Sequence, residues 1–252
     1  MTNIDVLGHS TWTSISEKKA DSVLLLHGGL NGSDTFTGVG DGLAEKYRVS
    51  YFDRRGHGKT ADSPEPFHYE AMADETIAVL ESIGGTSHLV GWSDGGNIGL
   101  IVAMRRPDLV KRLVVIGANF KHEAVLDMGL TDESPAMQMM VARYMENSPD
   151  GPDHFEEFVT KSLVMWGSEP NMTIQDLSKI SIPVLVMVGD DDAINLSHTC
   201  EMYESIPGAQ LAVVPGTSHG LPLEKPAEVA RLVDEFFSYQ LPVETMIPIR
   251  RR

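Results

Sequence analysis

The sequence predicts a doubly wound α/β fold, with a mostly parallel sheet and a helical insertion, on three observations. Apolar runs too short for helices recur along the 252 residues, segments with helical patterning separate most of them, and one interval, about residues 118–179, lacks any strand-like run. Strands buried on both faces, as in a parallel sheet, read as continuous Val/Ile/Leu runs rather than as alternation.

Taken in order, the opening segment to about residue 16 is expected to form an antiparallel hairpin. "SVLLLHG" (22–28) is the first strand, a helix is expected over 36–46, and "YRVSYFDRRG" (47–56) is a weaker strand. A helix over 69–82 leads to the strand "SHLVGW" (87–92), a helix over 95–106 and the strand "KRLVVIG" (111–117). The interval that follows has helical patterns cut by "ESP", "NSPDGPDH" and "SEPN". It holds seven of the thirteen methionines, among them Met137, Met139 and Met140, together with Phe155 and Trp166. Flexible thioethers suit an adaptable apolar surface, so residues 118–179 are expected to be a lid over a core made of 1–117 and 180–252, with Met139, Met140 and Trp166 touching substrate. The alternation resumes with "IPVLVMVG" (182–189), a helix over 196–205, "QLAVVPG" (210–216) and a helix over 226–239.

Composition excludes several function classes. A formal charge of −16 repels nucleic acid and anionic membrane surfaces, and the one basic cluster, Arg250 to Arg252, reads as a solvated tail. No apolar run approaches the roughly 18 to 20 residues of a membrane span, and the start lacks a signal-peptide layout. A soluble, cytoplasmic protein is expected. The single cysteine, Cys200, has no internal partner, which agrees with a reducing compartment. The histidines show no H-x-x-x-H spacing, and "GVGDGL" has Leu43 where a dinucleotide fingerprint needs its third glycine. Neither metal nor cofactor is expected.

The chemistry concentrates at "HLVGWSDGGNIGL", where a strand runs straight into a helix. Ser93 sits on that tight turn, and glycines two residues either side let neighbouring chain pass without Cβ clashes. The helix N-terminus and the Asp94 N–H would then face developing negative charge. A serine hydroxyl needs a base and an orienting acid. Both appear just past later strands: an acid among Asp190, Asp191 and Asp192, then His219 in "TSHGLPLEKP". Open α/β sheets gather their ligands at such strand ends.

With these residues the chain resembles the α/β-hydrolase superfamily, and within it the biphenyl-hydrolase-like serine hydrolases, which include amino-acid-ester hydrolases and share a "GWSDGG" elbow. "LLLHGG" is similar to that family's oxyanion loop, "DRRGHG" to its D-x-R-G-x-G loop, and "GTSHGLPLEKP" to its histidine loop. The family's acid pattern, G-x-x-D-x-[IV], is met by Gly189, Asp192 and Ile194, which implies Asp192 as the acid, with Asp190 and Asp191 as alternatives. The resemblance also implies Gly29 as the second oxyanion donor. Trp92 is expected to pack beneath the elbow or to shape the acyl pocket.

The expected function is hydrolysis of small or medium carboxylic esters through an acyl-enzyme, with amino-acid esters read by the Asp94 carboxylate as one possibility. C–C bond hydrolase, lactonase, thioesterase or perhydrolase activity, and a low-turnover receptor of the same fold, are the alternatives. The expected partner is a small-molecule ester; oligomeric state is not legible.

Overall fold

Side chains alternate along a strand, so a sheet covered on both sides needs two apolar faces. Among the described residues eight strands, numbered in chain order, supply them: β1 Thr2–Val6, β2 His9–Ile15, β3 Ser22–Leu26, β4 Arg48–Phe52, β5 Ser87–Trp92, β6 Val110–Ile116, β7 Val184–Asp191 and β8 Gln210–Ser218. They form one sheet in the order β1-β2-β4-β3-β5-β6-β7-β8. β3 to β8 run parallel, and the β1/β2 hairpin joins β4 antiparallel. The expected opening hairpin is therefore present, turned by Leu7 and Gly8, both at positive φ. The structure is a computed structural model describing residues 1–129, 131, 133–240, 244–247 and 249, so the basic run at 250–252 lies outside the described residues.

One sheet face carries Leu24, Leu26, Leu89, Leu113 and Val115, the other Val23, Leu25, Val90, Val114 and Ile116. The helices are α1 Thr37–Leu43, α2 Tyr69–Ser82, α3 Asp94–Arg105, α4 Pro135–Asn147, α5 Phe155–Trp166, α6 Ile174–Leu177, α7 Leu196–Ser205, α8 Leu221–Glu224 and α9 Pro226–Ser238. α2 and α3 cover the first face through Met72, Leu80, Ile98 and Ile101. α1 and α9 cover the second through Val39, Leu43, Val229, Val233 and Phe236. In α9, Pro226 fits the first turn, where no intrahelical N–H is needed. Its buried residues 229, 230, 233, 236 and 237 then fall on one helical stripe. The short α8 was not foreseen, since four residues give no periodicity to read.

Between β6 and β7 lie α4, α5 and α6. The "ESP" break is a helix start: Ser134 accepts the Met137 N–H and Pro135 occupies the first turn. This segment shares the core of the first sheet face rather than making its own. Phe158 stacks on Tyr144 (ring centroids 5.1 Å apart) and meets Phe67 and His57 edge-on at 6.1 and 4.9 Å. Lys161 of α5 ion-pairs at 2.7 Å with Asp62, whose side chain is buried in the loop after β4.

Candidate active site

β5 ends at Trp92 and α3 begins at Asp94, leaving Ser93 alone to make the turn, at φ 54° and ψ −119°. A non-glycine residue in this region costs roughly 1 to 3 kcal/mol and persists only where its surroundings over-determine it. Here they do. Ser93 N–H donates to the Ile116 carbonyl of the neighbouring strand at 2.8 Å, and its own carbonyl accepts from Gly96 and Asn97. A Cβ on Gly95 would collide with the Leu26 carbonyl, and one on Gly91 with the Gly95 carbonyl, so the turn closes only with glycine at both positions.

His219 immediately follows β8, and its Nε2 lies 3.0 Å from Ser93 Oγ. Its Nδ1 lies 2.7 Å from Asp192 Oδ1. The Asp192 side chain, 1% exposed, also accepts the Ile194 N–H at 2.9 Å, which fixes its orientation toward the imidazole. The neighbouring aspartates do other things: Asp190 accepts the Thr217 N–H at 3.1 Å, bracing β8, and Asp191 is exposed. Trp92 packs under the elbow and donates its indole N–H to the His219 carbonyl at 2.8 Å, anchoring the histidine loop.

The oxyanion loop follows β3. Arg54, fully buried, donates to the carbonyls of His27 and Gly28 at 2.6 and 3.0 Å. Its backbone N–H meets His27 Nε2, so the His27 Nδ1–H is the one that donates to Gly28 O. Burial, reinforced by the Arg54 charge, holds His27 well below the ordinary histidine range and pushes His57 down to about 3. Both are neutral braces. In the sequence "DRRGHG" marks a loop of the resembling family without pointing to Arg54. A buried guanidinium has no local signal, because its partners lie about 26 residues away.

A cavity of about 480 Å³ opens over Ser93 and His219. Of the residues marked in the sequence, Trp92, Asp94, Gly29, Met140 and Trp166 line it; Met139, one residue round the helix from Met140, does not. Leu30, Val125, Met128, Leu163 and Ile194 make the rest of the apolar wall. Polar residues that the sequence did not mark also face it: Asn31, Asn119, His122, Tyr69 and Glu169. Tyr69 donates its hydroxyl to Asp94 Oδ1 at 2.6 Å, and Glu169 accepts from His68 Nδ1 and the Tyr69 N–H at 2.6 and 3.0 Å. Burial and the Asp94 charge hold the Tyr69 phenol protonated, well above its ordinary range.

Residues 23–232 match the sequence model of the Alpha/beta hydrolase family. The chain is similar to a putative carbamate hydrolase RutD of Caulobacter sp. (strain K31), 27% identical over 85% of this chain and 90% of the relative. It is also similar to the pimeloyl-acyl-carrier-protein methyl ester esterase of Nitrosomonas europaea, 23% identical over 84% of this chain and 94% of the relative. In structure it resembles the meta-cleavage product hydrolase of Pseudomonas fluorescens IP01, with a TM-score of 0.80 at 21% identity, covering 94% of this chain and 97% of the other.

Proposed function

The chain belongs to the alpha/beta hydrolase family and is a hydrolase, and from that premise we propose that it cleaves small or medium carboxylic esters through an acyl-enzyme on Ser93. The observation that carries the reading is the continuous contact from Ser93 Oγ through His219 to Asp192, at 3.0 and 2.7 Å. Ser93 attacks the carbonyl carbon while His219 Nε2 takes its proton. Asp192 holds the Nδ1–H tautomer and stabilises the imidazolium. The N–H groups of Gly29 and Asp94 receive the oxyanion, and His219 returns its proton to the leaving alkoxide. A water activated by the same imidazole then releases the acid.

The wall chemistry supports the substrate class. Among the described residues no lysine or arginine lines the cavity, whereas the Asp94 and Glu169 carboxylates do, with His122 as the one imidazole beside His219, so a substrate carrying a free carboxylate meets two acids and no permanent cation. Uncharged esters suit it, and an ammonium-bearing ester would be tolerated for the same reason. The relatives' names span ester, carbamate and meta-cleavage product hydrolysis, which share attack on a carbonyl, so the bond itself is decided by assay.

The test is fluorophosphonate labelling together with a panel of matched ester, lactone, thioester and carbamate substrates. Adduct on Ser93 and fastest turnover of esters support the reading. Adduct elsewhere, or turnover retained by purified Ser93→Ala, overturns it. Among the described residues no helix is long and apolar enough to cross a membrane.

A further inference from the structure

We propose that the Asp94 carboxylate latches the lid tryptophan, Trp166, against Gly29, so that closure of the segment between β6 and β7 sets the position of the oxyanion loop. The inference rests on the ester-hydrolase reading of Ser93 and assigns Asp94 and Trp166 a positioning role within it.

Four separate segments converge on this one carboxylate. Asp94 is the first residue of α3, Tyr69 the first of α2, Trp166 the last of α5, and Gly29 belongs to the loop after β3. Asp94 is only 3% exposed. Its Oδ1 accepts the Tyr69 hydroxyl at 2.6 Å, and the Trp166 indole N–H is shared between Oδ1 and Oδ2 at 3.1 and 3.2 Å. Hydrogen bonds to an ionised acceptor are about twice as strong as neutral ones, and burial removes competing water. The latch is therefore strengthened by a carboxylate at 94, although the oxyanion N–H at that residue requires no particular side chain.

The Gly29 contact gives the latch its mechanical consequence. A Cβ on residue 29 would overlap both Trp166 Cζ2 and Asp94 Oδ2, so the ring edge and the carboxylate rest directly on the backbone of that residue. Arg54 holds the two preceding carbonyls, of His27 and Gly28. The loop is thus held at two places, by a buried arginine at the His27 and Gly28 carbonyls and by a tryptophan of the lid at Gly29. When Trp166 leaves with the lid, the loop loses one of these holds and the Gly29 N–H loses its fixed aim. Oxyanion donors must stand within a few tenths of an ångström of their target to contribute fully. Hydrolysis is then complete only with the lid closed.

A tryptophan acting merely as a wall of the cavity makes different predictions, which kinetics separate. Trp166→Phe keeps an aromatic wall and deletes the N–H; Asp94→Asn keeps the main-chain donor and deletes the charge. On an acetate ester, whose acyl group is too short to press on the wall, each variant should lower kcat and the rate of phosphonate labelling by about tenfold. KM should change less than twofold, and the double variant should be no slower than the slower single one, since both break one latch. Tyr69→Phe, which leaves the indole contact in place, should cost less than Trp166→Phe. An unchanged kcat on acetate in Trp166→Phe, with effects confined to KM of longer acyl chains, would overturn the latch, as would additive losses in the double variant. Should Asp94→Asn fail to fold, the Trp166→Phe and Tyr69→Phe arms decide alone. A wild-type protein that neither labels nor turns over acetate sinks the ester-hydrolase reading instead, a result distinct from either.

Discussion

His88 offers a test of how the sheet tolerates acid, separate from the chemistry at its other end. It lies near the start of β5, far along the strand from Ser93, and its ring stacks on Phe237 at 4.1 Å with Tyr47 edge-on at 6.2 Å. Its Nδ1 is buried and has no hydrogen-bond partner among the described residues. Burial first, then the Lys111 charge, push its pKa from 6.5 down to about 4. The folded state therefore holds fewer protons than the unfolded chain between those values. The stability that depends on a neutral His88 is fully present above about pH 6.5 and is lost as pH falls toward 4, up to about 3 kcal/mol at 1.36 kcal/mol per unit. His198, stacked on Phe120 and likewise pushed to about 4 by burial, acts in the same window. Asp53 and Glu75, whose pKa values burial raises, act in the opposite sense, so the test is a difference between variants. His88→Leu keeps an apolar side chain of similar size and removes the titration. Urea unfolding at pH 7.5, 6.5, 5.5 and 4.5 should show the variant gaining about 2 to 3 kcal/mol on wild type across the series. An unchanged gap between the two proteins at every pH would refute the argument that a neutral imidazole is what the sheet requires there.

Three further outcomes follow from the site. Asp192→Asn should lower kcat by about a thousandfold or more, as loss of the correct imidazole tautomer does in serine triads, while Asp190→Asn and Asp191→Asn cost far less; the reverse ranking in steady-state assays would move the acid role. Ser93→Gly should abolish turnover yet raise unfolding stability by about 1 kcal/mol, because glycine relaxes the positive φ at the elbow; a loss of stability would show the turn to be unstrained. Met140→Ala and Leu163→Ala should shift the preference among acyl chain lengths by roughly 1 to 3 kcal/mol per methylene at most, and Met139→Ala should leave it unchanged, as read from kcat/KM across C2 to C10 esters.

Much of this architecture is written locally. Buried parallel strands must be continuous apolar runs, and β3, β5 and β7 could be marked because nothing else short and apolar satisfies both faces of a sheet. The elbow was legible for a similar reason: a strand passing into a helix through one residue requires glycines where backbones touch. The order of Ser93, an acid after β7 and His219 after β8 follows from strand ends alone. Within "DDD" the run has no periodicity to rank its members, so the sequence points to Asp192 only through the pattern of the resembling family, and the folded loop turns Asp192 toward His219, leaving Asp190 to β8 and Asp191 to solvent. The rotation of α4 separates Met140 from Met139 in the same way, since it is set by how Tyr144 docks on Phe158. The Arg54 brace, the Tyr69 and Trp166 contacts to Asp94, and Glu169 at the cavity wall were decided by tertiary structure. Each joins residues from different segments of the chain, and a hydrogen bond between such residues is determined by where the elements pack, which no local pattern of residue types encodes.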